Sequence, residues 1–176
     1  GKDIRKIGSG NIGATNVFRT GSKILSILTL ILDALKGFFP VVITQKFFPE
    51  YFQISCLIVF LGHIFPLWLK FKGGKGVATY LGVLFALSYE LSILFIFTWI
   101  VVLLIFKFSS VSSIFSSLTV FIVTFFRESI GKTIIQDFDI TSNLRILLFI
   151  FFILIVFTHQ KNIYNLKNKT EKKINI

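Results

Sequence analysis

Apolar residues in this chain form long runs that short polar stretches separate. The runs are 24–45, 51–69, 77–89, 91–106, 111–126 and 144–158. They show neither the two-residue alternation of a half-buried strand nor the narrow stripe of an amphipathic helix. Nearly uncharged runs of about 18 residues are long enough to cross the hydrocarbon core of a bilayer as helices. The pattern predicts an all-α, polytopic helical integral membrane protein with about six spans in this chain.

Composition agrees with a membrane protein and changes the interpretation of the net charge. Hydrophobic residues make up 54% of the chain, charged residues 15%, and the net charge is +11. In a soluble protein this charge would first suggest nucleic acid. Here the basic residues lie between the runs, which favours anionic headgroups, phosphorylated substrates and topology signals. We expect no nucleic-acid partner, no metal and no cofactor.

Lysine and arginine are distributed unevenly between the two sides that six alternating spans would create. Segments 1–23, 70–76 and 159–176, together with Lys107, hold fourteen basic residues on one side. The opposite side holds four, namely Lys46, Arg127, Lys132 and Arg145. Because basic loops stay in the cytoplasm, we expect a multi-pass protein whose basic, glycine-rich segments face the cytoplasm.

The first candidate segment is the glycine-rich stretch 8–16. Its glycines match G-x-G-x-x-G, but no predicted strand precedes it, which excludes a dinucleotide site. Glycines let the backbone approach a ligand and expose N–H groups to an anion. Ser9, Asn11 and Asn16 add neutral donors, and Arg19 adds a fork suited to phosphate. The pattern fits a phosphate site and fits equally a flexible basic lead-in to the first span.

The second candidate segment is the loop 70–76, which leads directly into the run 77–89. Its glycine spacing differs from that of the nucleotide P-loop. A helix that starts after it would offer free N–H groups and a positive dipole end to an anion. An ordinary basic cytoplasmic loop is the alternative, but such a loop does not require three glycines. We therefore expect phosphate binding by Lys72, Gly73, Gly74, Lys75 and Gly76.

The remaining polar candidates lie in or beside spans. Asp33 and Lys36 have i, i+3 spacing inside the first run, where charges are costly and usually paired. We interpret them as a structural pair or as residues that position the site. His159 ends the last run, and it shares a face with Asn162 if the helix continues. Histidine is a natural general base near neutral pH, and the alternative is an interfacial side chain.

Taken together, these segments resemble the bacterial acyl-phosphate:glycerol-3-phosphate acyltransferases over nearly the whole chain. The stretch 9–19 resembles the first motif of that family, and 32–37 resembles the span after it. The stretch 62–79 resembles the second motif, and 159–163 with Glu171 resembles the third. Three motifs in the same order are highly specific.

The third motif differs from the family pattern at two positions. Asn165 and Lys169 stand where the resemblance leads us to expect arginine and glycine.

The resemblance implies transfer of a fatty acyl group from acyl phosphate to the 1-hydroxyl of sn-glycerol 3-phosphate. The products would be lysophosphatidic acid and phosphate, in the first step of phospholipid synthesis at the bacterial cytoplasmic (inner) membrane. It implies catalytic roles for Ser9, Arg19, His159 and Asn162. It implies substrate or phosphate binding by Asn11, Asn16, Lys72, Gly73, Gly74, Lys75 and Gly76. Structural roles are expected for Asp33, Lys36, His63 and Glu171.

The resemblance also bears on partners and on the extent of the domain. It implies contact with membrane lipid and a functional link to the enzyme that forms acyl phosphate and to the second acyltransferase of the pathway. We expect a single membrane-embedded domain over 1–176 that lacks the first span of the family. The alternatives are a small membrane transporter of phosphorylated solutes and an inactive fragment of the acyltransferase.

Overall fold

A computed structural model describes residues 3–126 and 142–174, apart from the side chain of Ser142. The α-helices in these residues are α1 (Ala14–Phe18), α2 (Lys23–Phe47), α3 (Phe52–Ile64), α4 (Val77–Leu87), α5 (Tyr89–Phe106), α6 (Ser109–Phe125), α7 (Ser142–Thr158) and α8 (Gln160–Lys167). Short 3-10 turns lie at Ile4–Lys6, Pro49–Tyr51 and Leu67–Leu69. The described ranges contain no strand, and the predicted all-α class is confirmed.

Each apolar run contains a helix, but the helices differ in whether they can cross a membrane alone. Three segments are long and apolar enough, namely Lys23–Phe47, Pro49–Leu69 and Tyr89–Phe106. A fourth is added if α7 and α8, which are bent by 55°, form one span. The helices α4 and α6 are apolar but shorter. The count of six spans therefore stays a prediction, and residues 127–141 of its longest loop, with Arg127 and Lys132, lie outside the described residues.

The boundary between the third and fourth runs lies earlier than the sequence pattern predicted. The apolar runs 77–89 and 91–106 predicted a turn at residue 90, whereas α4 ends at Leu87 and α5 begins at Tyr89. The hydroxyl of Ser88 accepts the N–H of Leu91 at 3.3 Å and so caps α5. Glu90 lies in the first turn of α5, where a carboxylate interacts favourably with the helix dipole.

The chain divides into two compact units, Gly1–Ala86 and Leu87–Ile176. The prediction of a single membrane-embedded domain stays a prediction.

In the first unit, two glycines bring α2 and α4 into direct backbone contact. A Cβ at Gly37 would overlap the carbonyl of Thr79, and a Cβ at Gly82 would overlap the carbonyl of Ala34. Small residues allow helices in lipid to approach closely enough for extensive van der Waals packing. The pair therefore fixes the position of α4, which follows the glycine loop, against α2.

In the second unit, the serine-rich helix α6 packs between α5 and α7. Ser112, Ser116 and Ser117 are fully buried, and Ser116 donates to the carbonyl of Ser112 at 2.6 Å. Such bonds to the preceding turn satisfy hydroxyl groups in an apolar environment. Trp99 of α5 donates its indole N–H to the hydroxyl of Ser113 at 3.2 Å.

We expect Gly37→Ala and Gly82→Ala to lower the free energy of unfolding by about 1–3 kcal/mol, because each added methyl group would push α2 and α4 apart. Thermal unfolding of the purified protein in detergent would measure this. The control is Gly62→Ala in α3, where a Cβ has no heavy atom within 4 Å. Alanine favours helix over glycine, so the control should keep or raise stability. Equal destabilisation by all three substitutions would contradict the proposed close contact.

Candidate active site

Asn16 organises the first glycine-rich segment. Its side-chain oxygen accepts the N–H of Ser9 at 2.9 Å, and its amide nitrogen lies 2.8–3.1 Å from the carbonyl oxygens of Ile4, Ile7 and Asn11. The residue is 2% exposed. Because the amide carries two hydrogens, both are used inside the segment. Asn16 therefore builds the loop, and its part in binding substrate stays a prediction.

Gly8 allows Asn16 and Arg19 to reach the backbone beside Ser9. Its φ is +61°, and a Cβ there would overlap the side-chain oxygen of Asn16 and lie 3.3 Å from Cδ of Arg19. Arg19 caps the C-terminus of α1 and is half-buried, as is Ser9. The two residues assigned to catalysis in this segment thus flank the same glycine. Asn11 also shapes the loop, since its side-chain oxygen accepts the N–H of Gly13 at 2.8 Å.

The loop after α3 is seated on the C-terminal end of that helix. The N–H of Gly73 donates to the carbonyl of Ile64 at 3.1 Å, and the N–H of Gly74 donates to the carbonyl of His63 at 3.2 Å. A Cβ at Gly73 would overlap the His63 carbonyl, and a Cβ at Gly74 would overlap Nε2 of the His63 ring. The sequence pattern suggested that these glycines expose N–H groups to an anion. Instead, both N–H groups satisfy carbonyls at the end of α3.

The last glycine of the loop starts α4. Gly76 has a φ of +80°, and a Cβ there would overlap the ring of Phe60. Its carbonyl accepts the N–H of Tyr80 at 2.7 Å, which is the first bond of the helix. The first N–H groups of α4 have no acceptor within the helix, and they form its positive end. Lys75 lies half-buried just before this end, and Lys72 is exposed.

Three ionisable side chains from α2 and α3 meet below this loop. Nζ of Lys36 donates to Oδ1 of Asp33 at 2.7 Å, as the i, i+3 spacing predicted. Nδ1 of His63 lies 3.8 Å from the same oxygen. The side chains of Asp33 and His63 are 10% and 7% exposed, whereas that of Lys36 is 60% exposed. Nothing in the sequence pattern indicated that His63 would join the pair.

His159 lies at the break between α7 and α8. It follows α7 and caps the N-terminus of α8, so the helix does not continue unbroken to Asn162 and the condition for a shared face is not met. Both side chains are nonetheless buried, at 2% and 6% exposed. Nδ1 of His159 lies 2.8 Å from the carbonyl oxygen of Ile155. A carbonyl can only accept, so Nδ1 carries the hydrogen and Nε2 is the acceptor of the neutral ring.

Glu171 binds the third motif to the start of α6. Its Oε1 accepts from Nδ2 of Asn162 at 2.6 Å and from the hydroxyl of Ser110 at 3.3 Å. Its Oε2 accepts from Nδ2 of Asn165 at 3.4 Å. Sequence reasoning missed Ser110, because nothing in the pattern links residues 61 positions apart. Lys169 has a φ of +59°, which explains why glycine would be expected there.

The predicted residues thus form local groups within each unit. In the first unit, Arg19 lies beside Gly8, the neighbour of Ser9, and Gly73 and Gly74 pack on His63. The hydroxyl of Ser26 in α2 donates to the carbonyl of Ala14 at 2.8 Å and ties the first segment to α2.

In the second unit, the side chain of Asn162 donates a hydrogen bond to Glu171, and His159 lies three residues before Asn162.

Comparison with known sequences gives one consistent family. A family profile described as "Glycerol-3-phosphate acyltransferase" matches residues 1–169. The curated glycerol-3-phosphate acyltransferase of Pelagibacter ubique (strain HTCC1062) is 47% identical over 175 residues, which are 99% of this chain and 85% of the relative. That of Wolbachia sp. subsp. Brugia malayi (strain TRS) is 44% identical over 176 residues, covering 98% of this chain and 85% of the relative.

Solved structures agree with the sequence comparison. The crystal structure of PlsY (YgiH), an integral membrane glycerol 3-phosphate acyltransferase, in its glycerol 3-phosphate form matches with a TM-score of 0.87 and 34% identity, covering 99% of this chain and 84% of that chain. Its lysophosphatidic acid form matches with a TM-score of 0.83 and 33% identity, covering 96% and 82%. This chain is therefore an integral membrane enzyme that belongs to the glycerol-3-phosphate acyltransferase family.

Proposed function

We propose that this chain transfers a fatty acyl group from an acyl phosphate to the 1-hydroxyl of sn-glycerol 3-phosphate. The hydroxyl oxygen bonds to the acyl carbonyl carbon, and the bond from that carbon to the phosphate oxygen breaks. The hydroxyl proton passes to a base, and the products are lysophosphatidic acid and inorganic phosphate. Besides family membership, the observation that carries the proposal is the glycine loop 70–76, which places Lys75 beside the N-terminus of α4.

Two phosphorylated substrates require two cationic binding regions. We assign one phosphate to Lys75 and the first N–H groups of α4, because a helix N-terminus with a lysine beside it favours an anion. We assign the other to Arg19, whose guanidinium can form two parallel hydrogen bonds to phosphate. Gly73 and Gly74 contribute by fixing the loop, and Lys72 adds positive charge from an exposed position.

Acyl phosphate is already activated, so positioning and charge stabilisation supply much of the barrier reduction. The bond from His159 to Ile155 leaves Nε2 as the acceptor, which suits a general base. Two acceptors for the hydroxyl proton remain, Nε2 of His159 and a phosphate oxygen of the donor. Ser9 orients the glycerol hydroxyl. Asn162, whose side chain is held by Glu171, orients the reacting groups beside His159.

The reaction joins an apolar donor to a water-soluble acceptor and so belongs at a membrane face. The charge distribution supports the bacterial cytoplasmic membrane, with the three motifs on the cytoplasmic side. There the chain would receive acyl phosphate from the enzyme that forms it and supply lysophosphatidic acid to the second acyltransferase of the pathway.

We expect phosphate release from acyl phosphate to depend on glycerol 3-phosphate, and acyl-CoA to be inactive as donor. Arg19→Ala should reduce kcat/KM by about 100-fold or more, because a charged partner of substrate phosphate is lost. The measurement is phosphate release and lysophosphatidic acid formation by the purified protein.

The matched control for this assay is Lys23→Ala, which removes an exposed basic residue from the same segment. It should retain activity near that of the unsubstituted chain. Phosphate release independent of glycerol 3-phosphate, or equal activity in both variants, would overturn the assignment.

We expect a reporter fused after Ile176 to register as cytoplasmic, because the tail lies on the basic side of the predicted topology. A reporter inserted after Lys46 should register as external. The opposite pattern, or the same side for both reporters, would contradict the six-span orientation.

We expect Glu171→Ala to lower the free energy of unfolding by about 1–3 kcal/mol, since three donors lose a carboxylate acceptor. The donors are on Ser110, Asn162 and Asn165. Thermal unfolding in detergent is the measurement, and Lys167→Ala, at an exposed position of α8, is the control. If both variants unfold at the same temperature, Glu171 does not bind the tail as described.

A further inference from the structure

The group formed by Lys36, Asp33 and His63 joins α2 and α3 beside the glycine loop, and its contact with that loop is made by the imidazole and the main-chain carbonyl of His63. We propose that His63, held by the Asp33–Lys36 pair, is a positioning residue that sets the place of Gly74 and Lys75 and thereby the affinity for glycerol 3-phosphate. The inference deepens the proposed function and rests on it for the identity of the ligand. None of the three side chains needs to touch substrate for this role.

The carboxylate of Asp33 is buried and therefore requires a partner. Asp33 lies ten residues into α2, where an unpaired charge would be costly. Lys36 supplies the opposite charge from one turn further along the same helix, at 2.7 Å. The pair is internal to α2, so by itself it places no other element.

His63 links the Asp33–Lys36 pair to α3. Nδ1 of His63 lies 3.8 Å from the oxygen of Asp33 that also accepts from Lys36. At this distance the interaction is electrostatic and not a hydrogen bond. It nevertheless acts on a ring that is 7% exposed and confined by its surroundings, so it favours one orientation of the imidazole.

The imidazole ring of His63 in turn contacts the glycine loop at Gly74. Gly74 packs so closely on the opposite ring nitrogen, Nε2, that a Cβ would overlap it. The N–H of Gly74 is bonded to the carbonyl of the same histidine. Main chain and side chain of His63 therefore hold one residue of the loop from two directions, and Lys75 follows it directly.

A displaced ring would move Lys75 relative to the start of α4. Misplacement of a binding group by about 1 Å can cost up to 100-fold in rate or affinity. We assign glycerol 3-phosphate to this loop and acyl phosphate to Arg19, and the imidazole packs on the loop at Gly74. The effect should therefore appear in the affinity for glycerol 3-phosphate and leave that for the acyl donor unaffected.

The test measures KM for each substrate with the full chain in detergent or vesicles. We expect His63→Gln and Asp33→Asn to raise KM for glycerol 3-phosphate by about tenfold while kcat and KM for acyl phosphate change less than about threefold. The control is Thr44→Val, which removes another polar contact between α2 and α3, from Thr44 to Ser55 at 3.1 Å. It should leave both KM values unchanged.

A double variant tests the contact itself. Gly74→Ala should raise KM for glycerol 3-phosphate because its methyl group meets the ring, and His63→Ala should raise it because the ring is lost. In the combined variant the methyl group has space, so the effect should be smaller than the product of the two single effects. Multiplicative effects, or a fall in kcat with unchanged KM, would overturn the positioning role.

A readout without activity separates this inference from the proposed function. The only native cysteine, Cys56, is buried, so Lys75→Cys provides a single reactive thiol in the loop. We expect a soluble maleimide to label it at least threefold faster when His63→Gln or Asp33→Asn is added, and not when Thr44→Val is added. Equal labelling rates would overturn the inference even if the chain is an acyltransferase. If labelling is faster but phosphate release does not depend on glycerol 3-phosphate, the positioning role of His63 is retained and glycerol 3-phosphate is overturned as the ligand.

Discussion

The bonding of two glycine N–H groups to the last carbonyls of α3 is the interaction on which the candidate phosphate loop depends. A helix that ends at a membrane face leaves carbonyls that need donors, and in apolar surroundings an unmet group costs several kcal/mol. Gly73 and Gly74 meet two of these carbonyls, and only glycine leaves space for the contact. The chain is then directed into α4, so one local solution both closes α3 and presents the positive end of the next helix.

The same principle recurs in the other two motifs with different groups. Asn16 connects four backbone positions of the N-terminal stretch through one buried amide, and Glu171 connects α6, α8 and the tail through one carboxylate. In each case one polar side chain with several partners holds irregular backbone beside apolar helices. Fully satisfied buried groups of this kind give rigidity, whereas partly satisfied ones would be costly. Glycine-rich segments that look flexible in the sequence are therefore well defined.

Apolar runs and charge distribution were sufficient to predict the fold class, the approximate helix positions and the Asp33–Lys36 pair, because these depend on residues close in sequence. Three features could not be predicted. The hydrogen bonds of Gly73 and Gly74, the contact of His63 with Gly74, and the bond from Ser110 to Glu171 depend on elements that meet only after folding. The sequence pattern placed His159 at the end of the last run and left open whether the helix continues, since no proline or glycine marks the break at that position.

Equilibrium binding of glycerol 3-phosphate in the absence of any acyl donor tests most directly whether this loop is a phosphate site. Isothermal titration calorimetry with the purified chain would measure it, in competition with inorganic phosphate and with glycerol. We expect saturable binding that inorganic phosphate competes away, that glycerol does not affect, and that Lys75→Ala weakens at least tenfold. Binding that glycerol displaces while inorganic phosphate does not, or that Lys75→Ala leaves unchanged, would contradict a phosphate site at the start of α4.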